Sequence, residues 1–264
     1  MTEPHFLEAV DDRGVARLTL NRPAVHNAFN DALIGDLTET LARLGGDPSV
    51  RVVILAARGK SFSAGADLNW MQRMAGYSQA ENLADARALA LLMATLNDLP
   101  KPTLALVQGP AFGGGVGLVA CCDIAVATER ASFSLSEVKL GLIPAVISPY
   151  VLAAIGEGAA RRYFLTAERF DAAEARRLGL VHEVVEAEAL ESTAEALVGA
   201  LLQAGPEALS AAKALIFAMT GRPIDEALRD ETAQRIAELR VGPEAREGIG
   251  AFLEKRRPNW STKG

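Results

Sequence analysis

The stretch GPAFGGGVGLVACCD, residues 109–123, packs five glycines into nine residues, between the apolar run TLALV and a segment of helical character. A glycine inside a helix costs about 1 kcal/mol relative to alanine, because it loses the most backbone freedom on folding. A helix that opens on such a run needs bare backbone at its first turn. The amides there have no intrahelical acceptor, and the helix dipole makes that end positive.

A second stretch repeats the arrangement. FSAGADL, 62–68, follows the β-branched run VRVVILAA and precedes another helical segment. Both stretches place small residues where a strand hands over to a helix. Two backbone N–H groups aimed at one point form an oxyanion hole, and bulk beside them would keep an oxygen from reaching the peptide. The ligand implied is a carbonyl that gains negative charge. Taken singly, each glycine set also fits plain close packing of helix against strand.

An acid follows in FSLSEVKLGLIP, 133–144. If 133–138 is extended, Phe133, Leu135 and Glu137 share one face, with Ser134 and Ser136 on the other. A carboxyl among apolar residues has a raised pKa, suited to carrying a proton near neutral pH. The alternative is a surface glutamate on a frayed strand end.

Other chemistries find no support. The net charge of −6 and the lack of a basic cluster argue against nucleic acid. GKS, 59–61, lacks the upstream glycine of a phosphate loop, since Ile54 stands there, and Leu118 breaks the dinucleotide fingerprint. SFSAG, 61–65, lacks the first glycine of a nucleophile elbow. His5, His26 and His182 show no zinc-ligand spacing, so no metal is expected. The adjacent Cys121 and Cys122 make no disulfide framework and read as reduced core thiols. No secretory leader is visible, and no apolar run reaches the roughly 18–20 residues of a membrane span. The expectation is a soluble cytoplasmic protein with no membrane partner.

Strands are expected at 6–10, 15–20, 50–57, 103–109 and 123–128. Helices are expected at 29–44, stopping at Gly45–Gly46, and near 79–98, 148–155, 157–165 and 171–178. From about 187 onward the chain is nearly all helix-forming. The pattern gives an α/β core over 1–187 and a helical C-terminal region over 188–264.

SFSAGADL, KPTLALVQGPAFGGGVGLVACCDIAVA and FSLSEVKLGLIP, with RPAVHNAFN before them and FLEKRRPNW after, together resemble the crotonase (enoyl-CoA hydratase/isomerase) superfamily. The resemblance covers almost the whole chain. It implies a spiral of ββα units with a helical C-terminal region, assembled as a homotrimer or homohexamer. It also implies an acyl-CoA thioester as substrate, with coenzyme A as part of that substrate and no separate cofactor. By position, the amides of Ala66 and Gly114 resemble the oxyanion donors, and Glu137 the catalytic acid. Ala24, Val25, Ala64, Asp67 and Leu68 fall in the CoA-lining turns, although Asp67 fits equally as a helix N-cap. Phe252 and Lys255 match positions that reach the CoA of a neighbouring subunit.

One departure stands out. Two-acid hydratases of the superfamily carry a further glutamate where this chain has Gly117. ADLNWMQRM, VGLVACCDIA, LIPAVISPYVLAAIG and ARRYFLTAERFDAAEA resemble bacterial 3-methylglutaconyl-CoA hydratases. Such a substrate carries a free carboxylate, which Arg73, Lys139 or Arg162 could answer. A single-acid Δ3,Δ2-enoyl-CoA isomerase and a non-catalytic acyl-CoA-binding protein are the alternatives.

Overall fold

A computed structural model describes residues 4–261. β1 (Phe6–Val10) and β2 (Val15–Leu20) form an antiparallel hairpin. Its turn is held by the Asp11 carboxylate, which accepts from the amides of Arg13 and Val15. β3 (Val52–Ala57), β4 (Thr103–Val107), β6 (Ile124–Thr128) and β9 (Glu183–Val185) extend the sheet in parallel, in the order β1-β2-β3-β4-β6-β9.

Both faces of this sheet are covered, which is why its inner strands read as unbroken apolar runs. Val53, Leu55, Ala105, Val107, Ala125 and Ala127 face one core. That core is closed by α1 (Asp31–Gly46), α3 (Gln79–Asn97), α4 (Gly114–Cys121) and α5 (Ser148–Thr166). Val52, Ile54, Leu104, Leu106 and Val126 face the opposite side, where α7 (Leu190–Leu202) lays down Leu190, Ala194, Val198 and Leu202. The helical C-terminal region therefore begins by completing a core layer.

Most helix ends follow local chemistry. The Asn30 side chain accepts from the Leu33 amide at 2.8 Å, and Ser78 and Glu81 make a reciprocal capping box on α3. α5 is interrupted at Gly156, whose φ of 73° no helix allows, where the sequence breaks 148–155 from 157–165. α1 runs to Gly46, past the expected stop. Gly45 serves packing instead, because a Cβ there would stand 2.9 Å from the Leu99 Cδ1.

A second, smaller ladder accompanies the first. β5 (Ala111–Phe112), β7 (Ser132–Ser134) and β8 (Phe170–Asp171) form a small sheet, and parallel bridges Phe29–Ala66 and Ser63–Ala111 continue it. Long strand, short bridging segment and helix recur along the chain. This is the ββα spiral, with mixed α/β content.

The last helices, α8 (Pro206–Met219), α9 (Glu226–Val241) and α10 (Pro243–Leu253), contribute few buried side chains. Lys213 of α8 pins them to the core through the Asp123 carboxylate at 2.9 Å, which also accepts from the Thr103 amide and hydroxyl. Among the described residues no helix is long and apolar enough to cross a membrane.

Candidate active site

The segment after β3 is shaped by Asn27, which is fully buried in a left-handed conformation. Its side-chain amide donates to the carbonyls of Arg58 and Ser61, both at 2.8 Å. The Ser63 hydroxyl returns a bond to the Asn27 carbonyl at 2.9 Å. Phe29 then donates its amide to Gly65 O and accepts from Asp67 N at 2.8 Å. These bonds flank Ala66 and leave its own N–H without a protein acceptor among the described residues.

The second turn closes against the first. Gly113 has φ 51° and gives its amide to Ser134 O at 2.9 Å. Gly114 opens α4, so its N–H has no helical acceptor. A Cβ on Gly65 would stand 3.9 Å from the Gly113 Cα, and a Cβ on Gly113 equally far from the Gly65 Cα. The two unpaired amides thus belong to residues that each follow one of this touching pair.

Glu137 reaches the same place. Its Oε1 lies 3.0 Å from where a Cβ on Gly113 would be. Its Oε2 is buried without a hydrogen-bond partner among the described residues. Burial pushes the carboxyl above the usual carboxylate range, against a smaller opposing pull from its own amide. The sequence singles out this acid, but its backbone differs from the extended 133–138 expected. β7 stops at Ser134 because its ladder partners, β5 and β8, are only two residues long. Ser136 then turns, and Glu137 begins a 3-10 turn that ends at Gly141 in left-handed conformation. Ser134, expected on the face opposite Glu137, is buried and donates to Ala167 O at 3.3 Å.

Ala24, Val25, Ala64 and Leu68 are exposed on one rim, since Ala64 N donates to His26 O at 2.9 Å and so joins the early block to the turn. Asp67 is buried, and its carboxylate accepts from the amides of Asn69 and Trp70, capping α2 (Leu68–Met74), and from Arg22 at 2.8 Å. Burial alone would raise its pKa. The Arg22 and amide bonds outweigh burial and hold it below the usual range. Of the two readings of Asp67, the N-cap describes its side chain. Phe252 and Lys255 lie at the end of α10 on the exposed surface, and no hydrogen bond joins them to either turn in this chain.

Sequence reading missed what surrounds the glycines. At Gly117 a Cβ would meet Ile147 Cβ at 3.0 Å, Ile147 Cγ2 closer still, and Met93 Cε at 3.2 Å. Apolar side chains fill the position. At Gly114 a Cβ would meet Phe29 Cε2 at 2.5 Å. No local pattern marks either neighbour. Of the three cations that could answer a substrate carboxylate, Arg73 pairs with Asp31 and Arg162 with Glu168. Among the described residues the Lys139 ammonium meets only a carbonyl, Ala167 O at 2.9 Å. The histidines serve locally: His182 Nδ1 accepts from the Ala125 amide, and His26 bonds Ser61.

Residues 11–263 match the enoyl-CoA hydratase/isomerase family model. The chain belongs to that family. It is similar to a crystal structure of an enoyl-CoA hydratase from Shewanella pealeana, at 47% identity and a TM-score of 0.94, covering 97% of this chain and 96% of that one. It is 35% identical over 247 residues to the 2,3-dehydroadipyl-CoA hydratase of Escherichia coli K12, covering 93% of this chain and 94% of the relative. It is 34% identical over 251 residues to the crotonyl-CoA hydratase of Syntrophomonas wolfei, covering 94% and 95%.

Proposed function

We propose that this member is an enoyl-CoA hydratase working with one acid. Water attacks Cβ of the α,β-unsaturated thioester while Glu137 takes its proton. Charge moves to the thioester oxygen, which accepts hydrogen bonds from the Ala66 and Gly114 amides. Glu137 then returns a proton to Cα, so that H and OH have added across the double bond. The observation that carries this is the buried, unpartnered Glu137 Oε2 beside the junction of two turns with free amides. A carboxyl so placed has no structural partner to justify its desolvation. That argues against a non-catalytic acyl-CoA binder.

The substrate we favour is 3-methylglutaconyl-CoA or a related carboxylated enoyl-CoA. Lys139, two residues from Glu137, has no carboxylate partner among the described residues, and the E. coli relative is named for a dehydroadipyl thioester. The exposed rim of Ala24, Val25, Ala64 and Leu68 supports CoA contact there. Exposed Ile216, Ile224, Phe252 and Leu253 on and between α8–α10 support a homotrimer or hexamer in which Phe252 and Lys255 meet a neighbour's CoA.

The filled position at Gly117 also suits an isomerase, in which one carboxyl moves a proton between C2 and C4. Turnover of crotonyl-, 3-methylcrotonyl- and 3-methylglutaconyl-CoA in H₂¹⁸O separates the two. Label in a hydroxyacyl product supports hydration. A shifted double bond without label overturns it.

A further inference from the structure

Besides the Ser63–Ala111 bridge that joins the two turns directly, both are touched by Phe29, which belongs to neither. Its backbone holds the first turn: Phe29 N donates to Gly65 O at 2.6 Å, and Phe29 O accepts from Asp67 N at 2.8 Å. In a parallel bridge the bonding groups flank the bridged residue, so Ala66 is pinned on both sides while its N–H stays free. The ring holds the second turn. A Cβ on Gly114 would stand 2.5 Å from its Cε2 and 2.9 Å from its Cδ2, so the ring rests against the bare backbone of the first residue of α4. At 1% exposure the ring has no solvent to swing into. One rigid side chain thus spans the gap between the residues that carry the free amides.

We propose that Phe29 is a positioning residue that sets the spacing of the Ala66 and Gly114 amides, so that both reach one thioester oxygen. This rests on the oxyanion reading above. Donors to a developing charge act only near ideal distance, and a shift of about 1 Å can cost roughly 100-fold in rate. A smaller side chain leaves the start of α4 free to settle toward the first turn. The thioester then still binds, but the transition state loses a donor.

The test uses the full-length chain with Phe29→Leu and Phe29→Ala. Steady-state rates are taken on an enoyl-CoA that the wild type hydrates, normalised to folded protein by circular dichroism. Binding of acetoacetyl-CoA, followed by the ultraviolet absorbance of its enolate, is compared with binding of saturated butyryl-CoA. The expected result is kcat down ~10-fold for Leu and ~100-fold for Ala, with KM and butyryl-CoA affinity within about 3-fold. The enolate absorbance should fall in parallel with kcat. Unchanged kcat per folded molecule overturns the proposal, as does an equal loss of butyryl-CoA affinity. Leu carries the test if Ala does not fold. A wild type that neither hydrates an enoyl thioester nor binds the enolate overturns the oxyanion reading and this proposal together. A competent wild type with unaltered variants overturns this one alone.

Discussion

Ile147 takes the place of a side chain on Gly117: its Cβ lies 3.0 Å from where a Cβ on that glycine would stand, with Cγ2 nearer and Met93 Cε at 3.2 Å. The bare backbone at Gly117 is therefore a property of the packing as much as of one codon. Gly117→Glu by itself should overpack the contact between α4 and the start of α5, costing about 1–3 kcal/mol, or a melting temperature roughly 2–12 °C lower. Combining it with Ile147→Ala should recover part of that loss. Differential scanning fluorimetry of the three variants reads this directly, and a fully stable single variant contradicts it.

Glu137→Gln keeps the shape of the acid and removes its proton chemistry. Hydration should fall by about 100-fold or more, the usual range for a lost general base, with KM little changed. As a base the carboxyl must be ionised, so kcat/KM of the wild type should drop as pH falls through a raised pKa, above the ordinary 4.5. A pH–rate profile with its acid limb at or below that value would contradict the burial argument.

Stability should move the other way at the same residue. Since the folded pKa of Glu137 is raised, the unfolded chain gives up its proton first as pH rises past 4.5. The folded state is then favoured by this group below that pH and loses the advantage as pH climbs through the folded value. Glu137→Gln should therefore melt higher than wild type near pH 7 and match it near pH 4.

Asp67 has the opposite sign. Its folded pKa is depressed below 3.8, so its contribution is present above that value and is lost as pH falls through the folded value. Asp67→Asn keeps a capping oxygen and breaks the pair with Arg22, whose partners are 6% and 18% exposed. Urea unfolding should show a loss of about 2–3 kcal/mol, somewhat under the range for fully interior pairs because Arg22 keeps a wet edge.

Lys139→Ala separates the carboxylated substrates from the plain ones. KM for 3-methylglutaconyl-CoA should rise about 10-fold, the scale of one charge-assisted hydrogen bond, with crotonyl-CoA unaffected. Equal effects on both thioesters would remove Lys139 from substrate choice.

The sequence made legible whatever is decided locally. Strands β3, β4 and β6 are buried on both faces, so apolar continuity gives them away, and Asn30 marks the start of α1 by its own capping bond. The sequence also marks both glycine turns and Glu137, which the structure brings together at one place. The backbone at Glu137 was not legible. What ends β7 is the shortness of β5 and β8, which come from distant parts of the chain. β9 escaped for a similar reason, since three half-buried residues become a strand only beside β6. Phe29 and Ile147 sit in ordinary hydrophobic positions and gain meaning only from the bare glycines they touch.

The two thiols, finally, have a practical bearing. Cys121 and Cys122 are buried, and burial drives the Cys122 thiol up to about 12 and raises that of Cys121 as well, so neither offers a thiolate at neutral pH. A cysteine introduced at the 81% exposed Leu68 should then take a maleimide dye alone, with no background to engineer away. A fluorophore there would sit on the rim beside the first turn and report ligand arrival in real time.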